Sequence, residues 1–183
     1  GTPLHTMSGH LQLLREDVET PALAERVGVV LEQVERVTDV VRHRMDQGSW
    51  PPPRSDTLDL GAIAQRVARF LEPTAALAGT TLKVEGPGIQ ATGDARFVEH
   101  ILLNLLKNAI EAAREKGHAD VRVAREGSRA AVDVIDDGPG LAPEAQARLF
   151  EPYVTTKGER GTGLGLVISR RLAQAQGGQL ELL

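Results

Sequence analysis

Four polar residues recur along one side of an otherwise apolar stretch. Asn104, Lys107, Asn108 and Glu111 stand at i, i+3, i+4 and i+7 within residues 97–116, FVEHILLNLLKNAIEAAREK, a spacing that puts them in one stripe of a helix. Such a stripe also reads as the solvated face of an amphipathic helix, but the residue types point elsewhere. Asn costs a helix roughly 0.6 kcal/mol relative to Ala. Here it occurs twice, one turn apart, where Lys, Glu or Arg would serve solvent better. Two stacked amides imply a ligand.

Two glycine-rich motifs follow. Asp136-Asp137-Gly138-Pro139-Gly140 comes directly after an alternating, strand-like run. Read alone it is an ordinary turn. It is equally a turn that brings backbone close to a flat ligand while an Asp at the strand end accepts from an exocyclic amine such as that of adenine. Gly161-Thr162-Gly163-Leu164-Gly165-Leu166 opens a helical pattern, so free N–H groups and the positive helix end face whatever anion approaches. It lacks the Gly-Lys-Ser/Thr of a Walker loop and the preceding strand and later acid of a dinucleotide fingerprint, so a third kind of phosphate loop is implied.

These residues need elements to hold them. Phe97, Ile101, Leu102, Leu105, Leu106, Ala109, Ile110 and Ala113 cover more than one face, which predicts a largely buried helix, capped by Asp94 and ended by Gly117. Before it the chain reads as a helix near 60–77, a strand at Thr81–Glu85, a turn at Gly86-Pro87-Gly88 and a short strand near 89–91. After it come paired strands over 121–125 and 130–135, a short helix near 143–150, a polar segment, a helix from the second glycine motif to about Gln176, and a last strand over 179–183. Helices and strands segregate without regular βαβ alternation, which favours a helix layer on a mixed sheet.

The first quarter has a different period. Leu4, Met7, Leu11, Leu14 and Val18, then Leu23, Val27, Val30, Val34, Val37, Val41 and Met45, form two heptad-like seams broken at Thr20-Pro21. They predict an antiparallel helical hairpin whose apolar face pairs with a second copy in a four-helix bundle. The expected organisation is therefore α+β: a hairpin over 1–48, a proline-rich linker over 49–57, and an α/β sandwich with a mixed sheet over 58–183. A net charge of −4 gives no general attraction to nucleic acid or anionic membranes. The absence of cysteine removes disulfides, thiol catalysis and cysteine-ligated zinc, as a reducing cytosol permits. No apolar run reaches the roughly 20 residues of a membrane span.

In order, NLLKNAIEA, DDGPG, LFEPYVTTK and GTGLGL resemble the N box, first glycine box, F box and second glycine box of the sensor histidine kinases. The likeness is close over about 94–178, and the hairpin resembles that family's dimerisation and phosphotransfer module. The FEPYVTTK form and short lid resemble the nitrogen-regulation subgroup.

The resemblance implies ATP and Mg²⁺ as cofactors. It makes Asn108 a ligand of the Mg²⁺ that bridges the phosphates, an ion suited by an amide oxygen, with Asn104 supporting the phosphate side, Lys107 a nearby point charge and Glu111 a holder of metal-bound water. Asp136 would accept from the adenine amine, Gly138 and Gly140 would let backbone reach the ring, and Leu141 would pack on the base. Residues 153–160 would form a lid, with Thr155, Thr156 and Lys157 toward the phosphates. Gly161, Thr162, Gly163, Leu164 and Gly165 would hinge it and present N–H groups.

In the family the phosphoacceptor begins a motif of the form His-Glu-Leu-X-Thr-Pro-Leu, in which X is Arg or Gly. This sequence starts inside it at Gly1-Thr2-Pro3-Leu4. The acceptor is thus expected three residues before Gly1, with His5 and His10 as ordinary helix histidines and Thr2 at the position that serves dephosphorylation of the partner. The resemblance implies a cytoplasmic kinase core that autophosphorylates a histidine within a homodimer and passes the phosphoryl to a response-regulator aspartate, in a full-length protein that can be a membrane-anchored sensor. The alternatives are an ATPase on the same fold and a non-catalytic dimeric scaffold.

Overall fold

The computed structural model describes Val30 and residues 52–155 and 163–182. Apart from Val30, which is helical, the expected hairpin lies outside the described residues, as do Thr2, Thr156, Lys157, Gly161 and Thr162. The described residues fall into two units, one of 52–151 with 165–182, the other containing 152–155 and 163–164.

In the first unit the chain runs β1 (Asp56–Asp59), α1 (Leu60–Ala78), β2 (Thr81–Glu85), β3 (Gln90–Gly93), α2 (Ala95–Ala112), β4 (His118–Glu126), β5 (Arg129–Asp136), α3 (Pro143–Ala147) and α4 (Gly165–Ala175). β4 is central in a three-stranded sheet, parallel to β2 and antiparallel to β5, so the sheet is mixed and the fold α+β. β1 and β3 form a separate antiparallel pair, Asp56 opposite Gly93. The alternation of β4 sends Ala119, Val121 and Val123 inward. There they meet Ile63, Ala64, Val67 and Leu71 of α1 and Leu102, Leu106, Ala109 and Ile110 of α2 in one core. Each Leu or Ile buried in this way contributes about 1.5–3 kcal/mol. That makes α2 a core element, with its polar stripe an exception that the fold has to accommodate.

Both long helices start on a carboxylate. Asp59 Oδ1 accepts from the Ala62 N–H at 2.9 Å, and Asp94 Oδ1 accepts from the Arg96 N–H at 3.0 Å. Asp94 is 1% exposed. It also takes the Arg96 guanidinium through Nε at 3.0 Å and Nη2 at 2.6 Å and the Arg54 N–H at 2.9 Å, while its own N–H donates to Gln176 Oε1 at 2.9 Å. The Arg96 side chain, against the opposing effect of burial and with help from the Arg54 N–H, holds this carboxyl well below the ordinary 3.8. A depressed acid contributes its full stability above its unfolded value and loses it as pH falls toward its folded one. Asp94→Ala is therefore expected to cost about 2–3 kcal/mol at pH 7 from the lost cap and the unpaired donors. That gap should narrow below pH 3.8, as urea denaturation at pH 7 and pH 3 would show.

The structure departs from the sequence expectation in three places. Residues 56 and 57, assigned to the linker, begin β1, because their partner strand lies more than thirty residues further on. The long helix ends at Ala112 rather than near Lys116: Ala113 is extended at φ −56°, ψ 149°, and the Asp137 carboxylate takes up the Arg114 and His118 N–H groups that a continuing helix would have used. Residues 178–182 form no strand. Their alternation has strand character, but a strand also needs a ladder partner. Among the contacts made there are the Gly178 N–H to the Ala173 carbonyl at 2.8 Å and Arg129 Nη1 to Gln179 Oε1 at 3.4 Å.

Candidate nucleotide site along one helix

The stripe on α2 is where the expected residues gather. Asn104, Lys107 and Asn108 are half-buried and Glu111 is exposed, so the stripe emerges from the core as α2 approaches its C-terminal end. Asn104 Nδ2 donates to Ser169 Oγ at 3.0 Å. Ser169 is fully buried on α4, and its hydroxyl fixes an amide that would otherwise sit poorly beside the apolar core. Sequence reasoning missed Ser169. Its only signal was a small polar residue in the apolar run Leu166-Val167-Ile168.

A glycine turn abuts each end of the stripe. At Gly165, the first residue of α4, an added Cβ would collide with Asn104 Oδ1. At Gly138 an added Cβ would stand 2.5 Å from the Ala112 carbonyl oxygen. Asn104 and Ala112 are eight residues apart on a continuous helix, a span of about 12 Å. Gly165→Ala should therefore push Asn104 off Ser169. The overpacking is expected to cost about 1–3 kcal/mol, read as a lowered melting temperature.

At the other end, Asp136 is the exposed last residue of β5. Its Oδ1 accepts from the Gly138 N–H at 2.9 Å, an Asx turn that sets the course of the loop. Gly140 has φ 73°, and the Leu141 carbonyl accepts from Gln146 Nε2 at 2.9 Å, which ties the turn to α3. Beside Asp136, partial burial raises the Asp137 carboxyl. The N–H groups of His118 and Arg114 and the charge of His118 outweigh that, so it is held below the ordinary 3.8.

Beyond α3, the Phe150 ring packs under the Arg170 guanidinium of α4, 4.6 Å from its centroid, a cation–π contact that holds Phe150 beside the glycine-opened helix. In the second unit the Tyr153 N–H donates to the Gly163 carbonyl at 3.1 Å, so the two ends of the 153–163 segment meet. Tyr153 itself is exposed, Thr155 is half-buried and Leu164 is buried. The structure therefore brings Asn104, Lys107, Asn108, Glu111, Asp136, Gly138 and Gly165 onto or against one helix, and holds Gly140 and Leu141 on the same turn.

An amide and a carboxylate oxygen one turn apart, Asn108 and Glu111, are hard donors. Among the described residues no three His, Cys, Asp or Glu side chains cluster as a metal site. Mg²⁺ is commonly held by one or two protein oxygens with the rest from water and substrate phosphates. The donor set fits that ion. Among the described residues no helix is long and apolar enough to cross a membrane.

Residues 93–182 match the family described as histidine kinase-, DNA gyrase B-, and HSP90-like ATPase. The sensory histidine kinase/phosphatase NtrB of Proteus hauseri is 30% identical over 98% of this chain and 54% of its own length. The C4-dicarboxylate transport sensor protein DctS of Rhodobacter capsulatus is 34% identical over 94% of this chain and 26% of its own. The chain thus spans about half, or less, of the length of these curated relatives. Among solved structures, full-length ShkA in complex with AMPPNP superposes with a TM-score of 0.68 at 30% identity, over 96% of this chain and 39% of that one.

Proposed function

The chain carries the catalytic domain of a sensor histidine kinase, of the histidine kinase-, DNA gyrase B-, and HSP90-like ATPase family, and on that footing we propose that it binds Mg-ATP along α2 and supplies the γ-phosphoryl for histidine phosphorylation. The observation that carries this reading is the meeting of both glycine turns with a single amide-bearing helix, Gly138 at Ala112 and Gly165 at Asn104.

In this reading Asp136 accepts from the exocyclic amine of adenine, the Gly138–Gly140 backbone lies against the ring, and Leu141 packs on it. Asn108, with Glu111, holds Mg²⁺ when it is bound, and the ion supplies charge neutralisation for the phosphates. Asn104, fixed by Ser169, borders the phosphate end, where the first turn of α4 offers N–H groups and the positive end of the helix dipole. Lys107 adds a cation. Thr155, Thr156, Lys157, Gly161, Thr162, Gly163 and Leu164 belong to the lid and its hinge. Catalysis is then mostly positioning and electrostatic stabilisation. A neutral imidazole attacks the γ-phosphorus in line, the bond to the β–γ bridging oxygen breaks, and ADP leaves with that electron pair.

For the whole protein, the same proposal includes a homodimer formed through the residue 1–48 hairpin, an acceptor histidine, with Thr2 serving dephosphorylation, and onward transfer to a response-regulator aspartate. Titration with a fluorescent ATP analogue, with and without Mg²⁺, tests the core of it. Saturable binding strengthened by Mg²⁺ is expected. A flat titration would leave a non-catalytic scaffold as the better account.

A further inference from the structure

Asp137, the second acid of DDGPG, has no part in the roles above, yet it is the most connected side chain of the turn. Its Oδ1 accepts from the Arg114 N–H at 3.3 Å and the His118 N–H at 3.2 Å, its Oδ2 lies 3.5 Å from His118 Nδ1, and its own N–H donates to the His118 carbonyl at 3.4 Å. Residues 113–117 join the end of α2 to the start of β4. The Ala113 and Gly117 N–H groups close local bonds to the Ala109 and Arg114 carbonyls, whereas those of Arg114 and of His118, the first residue of β4, take an acceptor supplied from elsewhere in the chain. One carboxylate meets that need, and it stands next in sequence to Asp136. The C-terminal end of the amide-bearing helix and the strand end that carries the base acceptor are therefore tied through a single side chain. The Gly138 N–H held by Asp136 and the contact of Gly138 with Ala112 complete the arrangement.

We propose that Asp137 is a positioning residue for the nucleotide base: by clamping the Arg114–His118 connection it sets the distance from Asp136 to the amides of α2, and with it the preference for adenine over a 6-oxo purine. This rests on the nucleotide-binding reading above. It assigns Asp137 no contact with the ligand. Its effect must therefore appear as lost discrimination between bases, which general loosening of the fold would not single out.

The test compares binding of ATP and inosine triphosphate by the parent, Asp137→Ala and Asp137→Asn, with amide hydrogen exchange at Arg114 and His118. Asp137→Ala is expected to weaken ATP about 10-fold through loss of two charge-assisted bonds, to reduce the ATP preference by a similar factor, and to speed exchange at those two amides. Asp137→Asn keeps an oxygen acceptor of the same shape and should stay within about threefold of the parent. Should Asp137→Ala fail to fold, Gly117→Ala serves, because its methyl would collide with both Asp137 carboxylate oxygens and with the Arg114 carbonyl of the same connection; the same loss of preference is expected. An Asp137→Ala or Gly117→Ala protein that keeps the parent's preference overturns the inference alone, as does an Asp137→Asn protein as impaired as Asp137→Ala. A parent that binds neither nucleotide overturns the functional reading and this inference with it.

Discussion

Replacing Asn108 with alanine is expected to abolish the gain in ATP affinity that Mg²⁺ provides, weakening Mg-ATP binding about 100-fold or more, since outer-sphere partners of a bound metal already account for about 10–100-fold. Asn108 occupies the middle of the stripe on α2, one turn after Asn104 and one turn before the point where the Gly138 turn meets Ala112. It is half-buried and outside the apolar core, so its truncation should leave Leu102, Leu106 and Ile110 in place and the melting temperature within a few degrees of the parent. Binding measured in excess chelator should barely change. This contrast between the two conditions separates a metal-side role from a general loss of structure. Equal Mg²⁺ dependence in parent and variant would contradict it.

The second large effect concerns the base. In the proposed binding mode, Asp136→Ala removes the acceptor for the exocyclic amine together with the bond from the Gly138 N–H. A hydrogen bond to a charged group is worth about 1.5–3 kcal/mol, which at 1.4 kcal/mol per tenfold corresponds to about 10- to 150-fold in affinity. ATP and ADP should lose affinity by the same factor, because their phosphate ends do not touch Asp136. Asp136→Asn makes the sharper test. An amide can donate to a 6-oxo group, so the ratio of inosine triphosphate to ATP affinity should rise toward or above one, whereas the parent's carboxylate repels that oxygen. Unchanged base preference in both variants, measured by competition against a fluorescent analogue, would remove Asp136 from the site.

How much of this was legible in the sequence depended on the distance over which each cause acts. The stripe on α2, the Asp94 cap, the strands β4 and β5 and the helix opening at Gly165 are local patterns, and the structure has them where the residues said. Asp94 marked the start of α2 by the same short-range rules. What was missed is long-range. β1 takes its form from β3, α2 ends where it does because of a carboxylate some twenty residues later, and Asn104 is held by Ser169, sixty-five residues away. The Arg170 partner of Phe150 is of the same kind. Residues 179–182 show the converse, local strand character that no ladder realises. The site itself was readable because its residue types are costly in a helix or needed in a tight turn. The residues that position it, Ser169 and Asp137, look unremarkable until the fold sets them beside their partners.

The proposal that α2 presents its amides to the phosphates of a nucleotide whose base lies on the Asp136 turn is tested most directly by nuclear magnetic resonance titration of isotopically labelled protein. On addition of Mg-ATP the Asn108 side-chain amide and the Gly138 backbone amide should shift along a single saturation curve, and adenosine alone should move Gly138 while leaving Asn108 still. Two resonances that saturate at different ligand concentrations, or that stay fixed while others move, would place the nucleotide elsewhere.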